Sequence, residues 1–201
     1  MIKVIYFDLG KVIINFDYAQ ALQELGKVTP LPTTEVARVL ANGSLILDYE
    51  TGKISTVDFY QLVSKTLKLN VSLEKFKQLW GNMFLPEPLL SEAFLEALKK
   101  TYRLLLLSNT NEIHFEFVRA KYSILSHIEE HVLSYQVGSM KPEKQIYQAA
   151  IERASVPAEE IFFTDDRQEN VEAARMAGIQ AVQFFSENQL KREMRQLGIS
   201  F

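Results

Sequence analysis

The sequence has no cysteine, and that one absence removes a disulfide framework, a thiolate metal site and a cysteine nucleophile together. A reducing, cytoplasmic setting fits such a chain. Proline, glycine and tryptophan are sparse, at 6, 8 and 1 residues, and neither a repeat nor a low-complexity segment stands out. Long apolar runs are missing as well: residues 2–9 are too few to span a bilayer, and the N-terminus shows neither a basic nor an apolar leader region, so a soluble protein without a membrane partner is expected. Charge of one sign is also lacking. The 22 Lys and Arg are scattered among 25 Asp and Glu for a net charge of -3, which argues against a nucleic-acid surface. The most basic stretch, LKREMRQLG at 190–198, reads as the solvated face of a helix.

What is present has two textures. At 201 residues the chain suits one sizeable α/β domain or a domain with a modest insertion. Between about residues 17 and 86, segments such as YAQALQELG, TEVARVLANG, TVDFYQLVSKTL and LEKFKQLWGNMF carry apolar residues at helical spacing, with no strand candidate among them. Ser55 followed by Asp58, and Ser72, read as helix starts, and Asn42 with Gly43 as a helix stop. Elsewhere apolar runs at 2–9, 103–108, 131–136, 160–165 and 180–184 alternate with helical segments, the pattern of right-handed crossovers in a parallel sheet. PEPLL at 86–90 is the expected return from the helical block. The expected architecture is α/β: a Rossmann-like, doubly wound, five-stranded parallel sheet formed by 1–16 and 87–201, with a helical cap at 17–86 inserted after the first strand. Because Asp8 precedes the insertion, the cap should lie over the same sheet edge as a lid.

Four segments bring chemistry to that edge. The first run, IKVIYFDLG, delivers Asp8 to a strand end just before Gly10; RLLLLSNTN ends on Ser108, Asn109, Thr110 and Asn111; GSMKPEKQ sets Lys141 before Pro142, a residue favoured at the first position of a helix; and EIFFTDD ends on Asp165 and Asp166. Each has an ordinary structural reading. Asp8 suits a turn, Ser108 or Asn109 a helix N-cap, Lys141 a surface position, and one of the two aspartates a cap for a helix at 168–177. Convergence of all four on one edge is far more specific than any one of them.

Asp8 in FDLGKVI, Ser108 in LLLSNTN, Lys141 in GSMKPEKQIY and Asp165 with Asp166 in FFTDDRQENVEAARMAG together resemble the four motifs of the haloacid dehalogenase superfamily. The likeness covers essentially the whole chain. It is greatest to the branch holding bacterial glucose-1-phosphate phosphatases and the N-terminal phosphatase domains of epoxide hydrolases. The resemblance implies that Asp8 takes the phosphoryl group as an aspartyl phosphate, with Lys141 neutralising charge on the transferred group and Ser108 and the Asn109 backbone amide binding phosphate. It further implies a magnesium ion held by Asp8, the Gly10 carbonyl and Asp166, with Asp165 either binding through water or orienting Lys141, and Asn170 in place of a second acidic ligand.

One departure stands out. Many phosphatases of the superfamily carry an acid two residues after the nucleophile, and this chain has Gly10 there; loss of a positioned acid typically costs roughly 10²–10⁴-fold. His114, His127 and His131 make a weak metal case and are expected at the surface or behind the site. Trp80 is expected in the core of the bundle. Tyr49 and Glu50 fall near a loop of the lid, where the sequence leaves their facing open, as it leaves the roles of His114 and Asn111. The expected function is a magnesium-dependent phosphatase for a small phosphorylated metabolite, a sugar phosphate first; the alternatives are a carbon-halide hydrolase, against which the paired aspartates speak because uncompensated carboxylates beside Asp8 would repel, and a phosphate-binding module without turnover. The oligomeric state stays open.

Overall fold

The computed structural model describes residues 1–41 and 43–201. Five parallel strands form one sheet: β1 (Val4–Phe7), β4 (Arg103–Ser108), β5 (Glu130–Leu133), β6 (Ile161–Asp165) and β7 (Gln180–Gln183), in the order β5-β4-β1-β6-β7. The chain first winds outward from β1 through β4 to β5, then crosses to β6 and β7 on the other side. The winding direction therefore reverses at β1, where ligand crevices form in open α/β sheets. Phe7 pairs with Leu106 of β4 and Thr164 of β6, so the next residue, Asp8, is level with Leu107 and Asp165.

β1 is buried along its whole length because helices cover both faces of the sheet. Its residues alternate as a strand requires. Ile5 and Phe7 join a cluster with Phe94 and Leu98 of α6 (Glu92–Lys99) and Phe115 and Val118 of α7 (Glu112–Lys121). Val4 and Tyr6 face Ile146 and Tyr147 of α9 (Lys144–Ala154) and Val171 of α10 (Gln168–Met176).

Between β1 and β4 the chain forms the helical cap: α1 (Tyr18–Gly26), α2 (Thr33–Ala41), α3 (Ser44–Glu50), α4 (Thr56–Leu67) and α5 (Leu73–Gly81). Leu25, Val36, Phe59, Val63, Phe76 and Trp80 make its separate apolar core. Ser55 and Ser72 are N-caps that accept from the Asp58 and Lys75 amides, as their spacing predicts, each worth about 1 kcal/mol. Gly43 turns out to precede α3 as its N-cap, while Asn42, its partner in the expected helix stop, lies outside the described residues.

The cap is tied to the core at several points. Tyr49 accepts from the Ile113 amide at the start of α7, and Thr56 bonds Glu112. A Cβ on Gly52, whose φ is +66°, would lie 2.1 Å from the Tyr135 carbonyl oxygen, so the chain can pass this close only as glycine.

Three expectations need correction. The block at 17–86 is not free of strand: β3 (Phe84–Pro88) begins inside it and pairs antiparallel with β2 (Ile14–Phe16), making a two-stranded ribbon where the chain enters and leaves the cap. Its two prolines hide it from periodicity, and they are tolerated because each strand of a two-stranded ribbon is an edge. The strand expected at 131–136 ends at Leu133; Ser134–Val137 forms one helical turn, α8, closed by Gly138 at φ +78°. Pro142 stands in the turn before α9, whose N-cap is Glu143, and does not take the first helical position.

Candidate active site

Asp8, Ser108, Lys141 and Asp166 line one cavity of about 410 Å³ at the C-terminal edge of the sheet, between core and cap. Asp8 follows directly on β1, Ser108 ends β4 and Asp165 ends β6, the strands on either side of β1. Lys141 arrives on the loop before α9. Asn109 holds that loop with its side-chain amide, donating to the Lys141 carbonyl at 2.8 Å and accepting from the Lys141 amide at 2.7 Å.

The Lys141 ammonium, 4% exposed as a residue, donates to Asp8 Oδ1 at 2.7 Å, to Asp165 Oδ2 at 2.6 Å and to the Leu107 carbonyl at 2.8 Å. Its three protons are thereby used. Burial alone would lower its pKa, but the carboxylates of Asp165 and Asp8 raise it instead. Burial pushes Asp8 upward against the pull of Lys141, with Asp165 adding to the rise. Asp166, half-buried, is also raised, first by burial and then by Asp165.

Carboxylate oxygens of Asp8, Asp165 and Asp166 lie within 4.8 Å of one another. Within this cluster three acids share the one buried ammonium of Lys141, with Lys11 and Arg167 farther out on the cavity lining, a setting that suits a divalent cation with hard oxygen ligands. The two aspartates differ in what remains free. Asp165 is fully buried, and its second oxygen accepts from the Arg167 amide and the Asn170 side chain, both at 2.9 Å. Asn170 Oδ1 is itself buried without a protein partner. Neither aspartate caps α10 by a side-chain bond; its N-cap is Arg167.

Ser108 is nearly fully buried, and its hydroxyl reaches the Asn109 carbonyl only at 3.5 Å, the limit of a hydrogen bond. The N-capping reading fails for both Ser108 and Asn109, because Asn111 caps α7 by accepting from the His114 amide.

His114 is no surface residue. It lines the cavity, stacks on Trp80 and is buried enough to lower its pKa to about 4. Nε2 lies 3.2 Å from the Trp80 carbonyl and Nδ1 lies 3.0 Å from the Asn111 amide nitrogen, so the neutral ring donates from Nε2 and accepts at Nδ1. With both nitrogens engaged it has no proton to exchange at neutral pH. His127 and His131 are only partly buried and lie away from this cavity.

The sequence left Tyr49 and Glu50 together, and the structure separates them. Tyr49 is buried and stacked on Phe59, while Glu50 lines the cavity from the cap, where burial raises its pKa to about 7. Lys11, Tyr18 and Arg167 also line the site without having been expected there. Lys11 had one available signal, its position directly after the glycine turn, where it takes φ 60°. At Gly10 a Cβ would lie 2.6 Å from Cε1 of Phe16, so an aromatic ring takes up the space that a side chain at this position would need.

A family model described as a haloacid dehalogenase-like hydrolase matches residues 2–178. Among curated proteins the chain is 28% identical over 189 residues to D-ribitol-5-phosphate phosphatase of Bacteroides thetaiotaomicron, covering 91% of this chain and 92% of that one. It is 28% identical over 188 residues to a phosphatase of Mycobacterium tuberculosis, covering 90% and 86% respectively. Among solved structures, a HAD family enzyme of Bacteroides thetaiotaomicron in complex with magnesium and inorganic phosphate superposes with a TM-score of 0.83 at 26% identity, covering 93% of this chain and 96% of that one.

Proposed function

The chain belongs to the haloacid dehalogenase-like hydrolase family, and on that premise we propose that it is a magnesium-dependent phosphatase acting on a small phosphorylated metabolite through an aspartyl phosphate on Asp8. The observation that carries this reading is the buried bridge of Lys141 between Asp8 at 2.7 Å and Asp165 at 2.6 Å, with Asp166 beside it. The phosphatase relatives support the same chemistry.

An Asp8 carboxylate oxygen attacks phosphorus, the bond to the ester oxygen breaks, and the alcohol leaves with a proton. Water then attacks the same phosphorus, which frees Asp8 and inorganic phosphate. Lys141 holds Asp8 in place and offsets charge that builds on the transferred group, while Ser108 and the Asn109 backbone amide bind the phosphoryl oxygens.

The donor set suits magnesium because every candidate ligand is a hard oxygen. Asp8, the Gly10 carbonyl and Asp166 would hold the ion, which when bound supplies the positive charge that lets an anionic ester approach Asp8. Asp165, both of whose oxygens already accept hydrogen bonds, serves to orient Lys141. The excess of acids speaks against the carbon-halide alternative. The cap, taken as residues 17–86 on a core of 1–16 and 87–201, closes the cavity from above.

The acid missing at Gly10 has a counterpart across the cavity. Glu50 lines the cap side, and burial holds its carboxyl partly protonated at neutral pH, which suits a proton donor to the leaving oxygen. A sugar phosphate as substrate has in its favour the ribitol-5-phosphate relative and the easy departure of an anomeric oxygen; the cavity next to the site favours a different leaving group.

Phosphate release from 4-nitrophenyl phosphate, with and without magnesium, tests the reading. Turnover that requires the metal and is lost in Asp8→Asn, by about 10³-fold or more, is the expected result. Metal-independent turnover, or an active Asp8→Asn protein, would overturn it.

A further inference from the structure

The cap contains a second cavity of about 490 Å³ that shares Tyr18, Glu50, Met83 and His114 with the first. Its volume is that of a small-molecule site. Leu22 of α1, Ala37 and Leu40 of α2 and Ile46 of α3 form its far wall. Among the described residues lining it, no Lys or Arg is present; the polar side chains are Tyr18, Glu50 and His114 on the side shared with the catalytic cavity, and Trp80, whose single indole N–H is buried without a hydrogen-bond partner. One of these, His114, has both ring nitrogens engaged by Asn111 and Trp80.

An ester whose phosphate sits at Asp8, Ser108 and Lys141 would send its alcohol through this shared wall. A polyol would enter a space where most of its hydroxyls find no partner, and each hydroxyl left unpaired costs on the order of tenfold in binding. A hydrocarbon would gain with every methylene placed there. We propose that the cap cavity is the leaving-group pocket and that the enzyme's preferred substrates are phosphate monoesters of predominantly apolar alcohols. This rests on the phosphatase reading above and names the substrate class for it.

The test compares kcat/KM for ethyl, butyl, pentyl and hexyl phosphate, and for ribitol 5-phosphate, which has the five carbons of pentyl phosphate with four added hydroxyls. From ethyl to hexyl the value should rise on the order of a hundredfold, and pentyl phosphate should exceed ribitol 5-phosphate. Ala37→Phe, which fills the far wall, should lower kcat/KM for hexyl phosphate about tenfold or more while ethyl phosphate changes less than about twofold. If that variant fails to fold, Leu40→Gln, half-buried on the same wall, should also erode the chain-length dependence. A flat series, or faster hydrolysis of ribitol 5-phosphate than of pentyl phosphate, would overturn the proposal and leave the phosphatase reading intact. Calorimetric binding of hexylphosphonate and ethylphosphonate with magnesium present, which needs no turnover, separates the opposite case. If no ester is hydrolysed but hexylphosphonate still binds far more tightly, and Ala37→Phe abolishes the difference, the phosphatase reading fails and the pocket stands; equal binding of the two phosphonates sinks the pocket.

Discussion

The two cavities that meet at Glu50 and His114 are close in size and opposite in character. The catalytic cavity, the floor of the pair, is built on the ends of three adjacent strands, where Asp8, Asp165 and Lys141 are buried together and Asp166 stands half-buried beside them. The cap cavity is built on helices and shows mostly hydrocarbon beyond the shared wall. Chemistry that needs charges at fixed separations thus rests on the sheet edge, where strand register fixes Asp8, Ser108 and Asp165 and the Asn109 hydrogen bonds fix the Lys141 loop, whereas selection of the leaving group falls to helices whose apolar side chains can change without disturbing that register. The difference also assigns energetic roles. The floor holds charges that are stable only as a matched set, and the cap wall holds residues that can be exchanged one at a time.

Lys141→Met should break this contrast most severely. It would leave Asp8 and Asp165 buried without their common partner, a loss of about 3–5 kcal/mol in folding stability, whereas Leu40→Gln on the cap wall should cost roughly 1 kcal/mol. Urea unfolding midpoints measure both, and equal losses would show that the floor is no more interdependent than the wall. Within the floor, Asp166→Ala should raise the magnesium concentration for half-maximal activity about tenfold to a hundredfold, and more than Asp165→Ala does. Asp165→Ala should instead lower kcat at saturating magnesium, because Lys141 loses its second anchor. A magnesium titration of both variants distinguishes the roles, and a reversed order would exchange the assignments of the two aspartates.

The floor was legible in the sequence because strand ends are legible. Each apolar run stops where its chemical residue begins, so Asp8, Ser108 and Asp165 could be assigned to one sheet edge without knowing the strand order. The cap cavity was not, because its wall is assembled from α1, α2, α3 and α5, whose apolar stripes give no sign of which positions meet a void and which meet a neighbour. Trp80 serves both purposes, packing in the cap core and bordering the cavity. The ribbon of β2 and β3 escaped notice because three-residue and proline-containing strands carry too little alternation. Of the two positions the sequence allows His114, the surface and the ground behind the site, the structure removes the first, and periodicity could not decide because its burial comes from Trp80 and Phe84, which approach from distant parts of the chain.

The smallest expected effect concerns Glu50, one of the residues the two cavities share. Burial raises Glu50 from an ordinary carboxyl value to about 7. A carboxyl whose folded pKa lies above its unfolded one contributes stability that is complete below the unfolded value and is lost as the pH rises through the folded value. Wild-type stability should therefore decline between about pH 4.5 and 7, and Glu50→Gln, which stays neutral, should decline less over that window in pH-dependent thermal unfolding. A donor must also be protonated to act, so kcat for ethyl phosphate should fall as the pH passes about 7, and the glutamine variant should lack that limb and run about tenfold or more slower below it. 4-Nitrophenyl phosphate, whose leaving group needs little protonation, should be hydrolysed by the variant nearly as fast as by the wild type. If both esters lose equally, Glu50 is part of the wall and not the proton donor; if the stability difference appears without any change in the pH profile, its raised pKa reflects only the hydrocarbon beside it.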